Sequence, residues 1–266
     1  MQGTGAELRG QDGPYCYAII ANHNYGKWIL DALNSVVAQD YPYKGISICD
    51  DASTDDSVSR VLRNMSDVRT HVNNEEKTIH EGLYRGVHCV LTVLKQNGMQ
   101  GRARNYAINI VSSRADYFGV LDSDDMLRPT KFSKCVKILE KDKDAIGACY
   151  TDYTCVHVNN NDLSIREFKE PYNRERLMKE CIVHSGCVIS KRALEIVGLF
   201  EIDVCPVEDY SMWLKISKRF IIVHIPEDLV TVRVHKDNCT FSVPSERWQK
   251  AWRTVMERHV INDRTK

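Results

Sequence analysis

Apolar and polar positions alternate along this chain in blocks that predict their own elements. Tyr15 to Ala21 is a continuous apolar run of strand length, as expected for a buried parallel strand. A polar loop, Asn22 to Gly26, follows it. Ile29, Leu33, Val36 and Val37 then recur at helical spacing and predict an amphipathic helix ending near Gln39. Gly45 to Cys49 predicts a second strand, and a helix is expected to begin around Ser57. This strand–helix–strand–helix order is a βαβ unit, so the sheet is expected to be parallel, with its C-terminal strand ends on one rim. Ser66 to Tyr84 is polar and poorly periodic and reads as a loop-rich connection. Val87 to Leu94 predicts a third strand, Gly101 to Val111 a helix, and Tyr117 to Leu121 a short buried strand.

The pattern changes in the second half. Phe132, Cys135, Val136 and Leu139 predict another amphipathic helix. Ile146 to Val158 and Leu163 to Phe168, joined by the turn Asn159 to Asp162, look like an antiparallel pair. A short helix is expected around Arg174 to Cys181, a strand over His184 to Ser190, and a helix from Arg192 to Val197 closed by Gly198. Pro206 leads into a helix carrying Met212, Trp213 and Ile216, and Ile221 to Ile225 and Leu229 to Val234 read as two strands. Glu246 to Val260 predicts a last helix with Trp248, Trp252, Val255 and His259 on one face. That face is expected to pack on its own domain or on a second subunit, or to touch a membrane surface.

Composition narrows the class. The chain has 266 residues, 43% of them hydrophobic, with 36 acidic and 36 basic side chains. It can bury one large core, and the balanced charge gives no sign of a nucleic-acid binder. No apolar run approaches a transmembrane span, and the start is glycine-rich and polar, so a cytoplasmic location is expected. The ten cysteines sit mostly inside apolar runs and form no Cys-x-x-Cys, so they are expected to be reduced.

Candidate chemistry gathers where strands end. Asp122, Asp124 and Asp125 terminate the Tyr117 strand, and Asp50 and Asp51 terminate the Gly45 strand on the same rim. Like charge at that density is unfavourable unless a cation or solvent compensates it. Asp122 and Asp124, two apart, are expected to face one side of the crevice, where they suit Mg²⁺ or Mn²⁺ carrying a diphosphate. A solvated acidic turn is the simpler reading of Asp-x-Asp alone.

Several motifs in order then resemble family 2 glycosyltransferases with the GT-A fold. Ile19-Ile-Ala-Asn-His-Asn24 looks like the opening strand and loop, and Ser35 to Pro42 like the end of the first helix. Cys49-Asp-Asp-Ala-Ser-Thr-Asp55 resembles Asp-Asp-Gly-Ser-Thr-Asp, with Ala52 replacing the usual glycine. Ala103-Arg-Asn105, Leu121-Asp-Ser-Asp-Asp125, Glu208-Asp-Tyr-Ser-Met-Trp213 and Val232-Arg-Val-His235 follow in sequence order. The resemblance implies an α/β fold with a Rossmann-like, mostly parallel sheet flanked by helices and a mixed C-terminal half. The implied layout is an N-terminal tail (1–14), one GT-A domain (15–242, with a nucleotide-binding half 15–127 and an acceptor half 128–242) and a C-terminal helical extension (243–266).

By the same resemblance, the chain moves a sugar from a UDP- or dTDP-type donor to a hydroxyl acceptor such as a glycan, with inversion. Ala21, Asn22, Asn24, Asp51, Arg104, Asp122 and Ser123 would line the nucleotide-sugar site, with Asp51 on the base and Ala21 where many relatives carry a hydroxyl. Asp124, Asp122 and His235 would serve Mn²⁺ or Mg²⁺, and Asp209, with Glu208 beside it, would act as base. Ala52 would be strained if the usual glycine there has positive φ. The rival functions are a nucleotidyltransferase, which would be expected to carry a glycine-rich phosphate loop, and an inactive sugar-nucleotide or glycan-binding module.

Overall fold

The computed structural model describes residues 13–158 and 163–261. The expected turn Asn159 to Asp162 and most of the glycine-rich tail lie outside the described residues. The first half runs β1 (Cys16–Asn22), α1 (Ile29–Val37), β2 (Lys44–Asp50), α2 (Ser57–Arg63), β3 (Met65–Asn73), β4 (Lys77–Tyr84), β5 (Val87–Leu94), α3 (Met99–Val111) and β6 (Tyr117–Asp122). The second runs β7 (Met126–Leu127), α4 (Lys131–Leu139), β8 (Ile146–His157), β9 (Leu163–Glu167), α5 (Arg174–Leu177), β10 (Val188–Ser190), α6 (Lys191–Val197), α7 (Glu208–Ser217), β11 (Ile221–Val234), α8 (Cys239–Ser242) and α9 (Ser245–Met256). A π-helical turn, Glu257–Ile261, extends α9.

Among the described residues these strands form one sheet in the order β3-β4-β5-β2-β1-β6-β10-β8-β11-β7, with β9 on β8. β5, β2, β1 and β6 are mutually parallel, while β10 runs antiparallel to both β6 and β8. This is the α/β architecture expected, parallel in front and mixed behind. Side chains of β1 alternate between the two faces. Tyr17 and Ile19 join the core under α3, α6, α7 and α9, whereas Cys16, Ala18 and Ile20 join the core under α1, α2 and α4. Gly119 of β6 lets α4 approach, since a Cβ there would lie 2.6 Å from the Phe132 ring.

Four expectations are corrected. The supposed loop at Ser66 to Tyr84 is the β3–β4 hairpin; β3 is an exposed edge strand, so no burial imposes alternation on its sequence. The two strands expected around Pro226 are one, β11, which accommodates that proline with bulges near Ile225 and Asp228. The strand expected over His184 to Ser190 starts only at Val188, and the helix expected to reach Cys181 stops at Leu177. All ten cysteines are free, as expected.

The aromatic face of α9 packs on its own domain. Trp252 stacks on Tyr210 of α7 at 4.6 Å, Val255 is fully buried, and His259 lies 3.0 Å from Glu201. No helix among the described residues is long and apolar enough to cross a membrane.

Candidate active site

Register puts the acids on one rim. Asn22 at the end of β1 pairs with Asp50 at the end of β2, and Ala21 pairs with Asp122 at the end of β6. Asp50 is a scaffold residue: its carboxylate accepts from Asn22 Nδ2 (2.7 Å), Ser53 Oγ (2.7 Å) and Ser53 N (2.9 Å). Asn24 accepts from Thr54 N at 2.8 Å, and Asp55 accepts from Gly26 N at 2.8 Å, which closes the β1 and β2 loops on each other. Ala52 adopts φ 59°, so the strain expected for alanine in place of glycine is present.

Asp51 faces a cleft of about 460 Å³ that Ala21, Asn22, Asn24, Trp28 and Asn97 also line. Its carboxylate accepts from Gly98 N, at 2.8 Å to one oxygen and 3.1 Å to the other. Burial raises its pKa against the pull of that bond. Nothing in the sequence signalled this partner, 47 positions away in the chain.

A second cleft, of about 410 Å³, shares Ala21, Tyr25, Gln100 and Cys239 with the first. Asp122, Ser123, Asp124 and Asp209 line it, so β6, the turn after it and the start of α7 meet there. Asp122 and Asp124 do not share a side through strand alternation as expected, because residues 123–124 form a turn. Asp122 Oδ1 accepts from Arg104 Nη2 at 2.6 Å, and Oδ2 accepts from Ser185 Oγ at 3.2 Å. Asp124 Oδ2 lies 3.1 Å from His235 Nε2 and accepts from Asn238 Nδ2 at 2.9 Å. Asn238 and Ser185 had no signal in the sequence.

Arg104 is neither solvated nor open. It is 2% exposed and bridges Asp122 to Glu208, whose Oε1 accepts from its Nη1 at 2.7 Å. Arg233 braces the acidic turn: its N donates to Asp125 Oδ1 (2.9 Å), Nη1 to the Asp124 carbonyl (2.8 Å) and Nη2 to Asp31 (2.7 Å). Its guanidinium lies 4.6 Å from the Trp28 ring centroid.

These environments drive the carboxylates apart. Burial works against ionised Asp122, but the charge and hydrogen bond of Arg104 outweigh it and hold the group below the usual range. Burial, then Asp124 and Asp122, push Asp125 well up. Burial, then its neighbour Glu208, raise Asp209 to about 7. An ionised acid beside one poised near neutrality is the arrangement of a charge-bearing group and a proton acceptor. His184, stacked on Tyr153 at 4.3 Å, is pushed down to about 3, first by burial and then by Lys131, and so stays neutral.

Among the described residues no three His, Cys, Asp or Glu side chains form a ready ligand set for a metal. Asp124 and His235, with Asp122 on the same cleft, supply carboxylate and imidazole donors. That set fits Mn²⁺ or Mg²⁺ if substrate phosphates and water complete the shell.

Comparison with known proteins identifies the family and the fold. The family described as glycosyl transferase family 2 matches residues 17–197. Chondroitin synthase of Escherichia coli is 27% identical over 225 residues, a match covering 85% of this chain and 30% of that protein. S. aureus TarS 1–349, solved in complex with UDP-GlcNAc, superposes with a TM-score of 0.68 at 18% identity, over 91% of this chain and 65% of that one. The mannosyltransferase PcManGT of Pyrobaculum calidifontis, solved with GDP-Man and Mn²⁺, gives 0.57 at 17%, over 93% and 62%.

Proposed function

The chain is a glycosyltransferase that belongs to family 2, and from that premise we propose that it transfers a sugar from a UDP- or dTDP-type donor to a hydroxyl acceptor with inversion. The observation that carries this reading is the cleft where Asp122 and Asp124 meet Asp209. Asp51 takes the base in the first cleft, with the sugar and diphosphate lying toward Asp122 to Asp124. The bound UDP-GlcNAc of the TarS complex supports the uridine assignment, and the Mn²⁺ of PcManGT supports a divalent cation.

Asp124 and His235 would hold the cation, with Asp122 on the ribose or the metal. When bound, it supplies positive charge that offsets the leaving diphosphate. Asp209 accepts the proton of the acceptor hydroxyl, whose oxygen displaces the nucleoside diphosphate from the anomeric carbon. One base and one displacement invert that carbon. Glu208, tied to Arg104, keeps Asp209 protonatable near neutral pH and orients the start of α7.

A thermal-shift screen of UDP-, dTDP- and GDP-sugars, with and without Mn²⁺, tests the donor. A ligand at about 100 times its Kd stabilises by about 2.7 kcal/mol, a shift of several degrees. A Mn²⁺-dependent shift with a uridine or thymidine nucleotide is expected; a response to GDP-sugars alone would refute the base assignment. Slow donor hydrolysis by the same sample would separate an enzyme from a binding module.

A further inference from the structure

Lys169 is the cation in the Asp209 cleft that no carboxylate neutralises. It lines that cleft and is half-buried, and among the described residues no acid lies within ion-pair distance of its Nζ. The Tyr153 ring lies beside it, with its centroid 5.5 Å from the ammonium. Arg233, the other basic side chain that lines this cleft, is occupied by Asp31, and Arg104 beside it by Asp122 and Glu208.

The position of Lys169 is fixed by backbone contacts. Its N–H donates to Asp152 Oδ1 at 2.9 Å, and the next carbonyl, of Glu170, accepts from Tyr150 Oη at 2.5 Å. Asp152 is itself buried and held by His224 at 2.9 Å. The segment after β9 is therefore pinned to β8, and the ammonium is presented from a rigid wall. A half-buried ammonium without a counter-ion is unfavourable, and an anion from a ligand would relieve that. Lys169 lines the Asp209 cleft but not the Asp51 cleft, so it shares a cavity with the proposed proton acceptor and not with the residue assigned to the nucleotide base. The acids of this cleft would repel an anion laid against them, so pairing with Lys169 would set the orientation of an anionic acceptor as well as its affinity.

We propose that Lys169 is the specificity-determining residue for the acceptor, and that the acceptor carries a carboxylate or phosphate beside the sugar that presents its hydroxyl. This rests on the reading of the Asp209 cleft as the acceptor site of a nucleotide-sugar transferase. The chain, saturated with UDP and Mn²⁺, is titrated by ligand-observed NMR with methyl glucoside and galactoside, the matching methyl uronides and the matching sugar 1-phosphates. Wild type should bind the uronides or the 1-phosphates at least about tenfold more tightly than the neutral glycosides, and which set wins identifies the anion. Lys169→Gln should erase that preference, Lys169→Arg should keep it, and UDP affinity should be unchanged in both. No anionic preference in wild type, including no binding of any probe, overturns the proposal, as does a preference that survives Lys169→Gln. A parallel loss of UDP affinity in Lys169→Gln would instead place the residue in the donor site, which also overturns it. Failure of wild type to bind UDP at all is a separate result and removes the donor reading itself.

Discussion

Replacing Asp209 with asparagine removes a proton acceptor while leaving shape and most hydrogen bonding in place. Its carboxylate is raised to about 7, so the wild-type group is mostly protonated at pH 6 and mostly ionised at pH 8. Turnover limited by this base should therefore rise about tenfold across that interval in kcat/KM, which reports the free enzyme. Asp209→Asn should lower transfer by roughly 10²–10⁴, about 2.7–5.5 kcal/mol of barrier, and flatten that acid limb. Stability supplies an independent check. A carboxyl whose folded pKa is raised favours the folded state below its unfolded value near 4. That contribution is lost as pH rises toward about 7, because the folded chain then binds more protons than the unfolded one. Asp209→Asn should thus be at least as stable as wild type at pH 8. Glu208→Gln removes the like charge and leaves Arg104 closer to unpaired, so its acid limb should move to lower pH while turnover persists. The assay is nucleotide release across pH 5.5–8.5, with UDP affinity and thermal melts on each variant. Near-normal turnover in Asp209→Asn with Glu208→Gln dead would move the base to Glu208. Near-normal turnover in both variants would refute the mechanism.

Three further outcomes follow from the geometry. Asp124→Asn should abolish the Mn²⁺-dependent part of UDP affinity, measured by calorimetry with and without chelator, while its bonds to Asn238 and His235 keep the turn folded; unchanged affinity with Mn²⁺ would end the metal assignment. Asp51→Ala should weaken UDP binding by about 1.5–3 kcal/mol, the range for a hydrogen bond to a charged group, and a wild-type preference for guanine nucleotides would count against its role. Ala52→Gly relieves a residue at φ 59°. Removing about 1–2 kcal/mol of left-handed strain at an entropic cost of about 0.5–1 should raise the melting temperature by a few degrees at most, and a lowered one would contradict the strain.

The elements and the rim of acids follow from sequence-local physics. Apolar runs of strand length, helical recurrence of Ile29, Leu33 and Val36, and carboxylates placed at strand ends are local patterns, and a parallel sheet turns them into one rim. The strain at Ala52 was legible only through the resemblance, which sets a glycine at that position; the φ of 59° is what makes alanine costly there. The β3–β4 hairpin was illegible because an exposed edge strand carries no burial period; only the free edge of β5 makes it a strand. The partners of the acids were illegible as well. Arg104 bridges residues 18 and 104 positions away in the chain, and Asn238 reaches Asp124 across 114. Contacts of that range depend on how the back half folds over the rim. The raised proton affinity of Asp209 belongs to the same class, because it comes from burial and from a neighbour whose own charge is held by Arg104. Local sequence placed the acids at the strand ends; tertiary structure decided that Arg104 holds Asp122 charged and that burial beside Glu208 raises Asp209 toward neutrality.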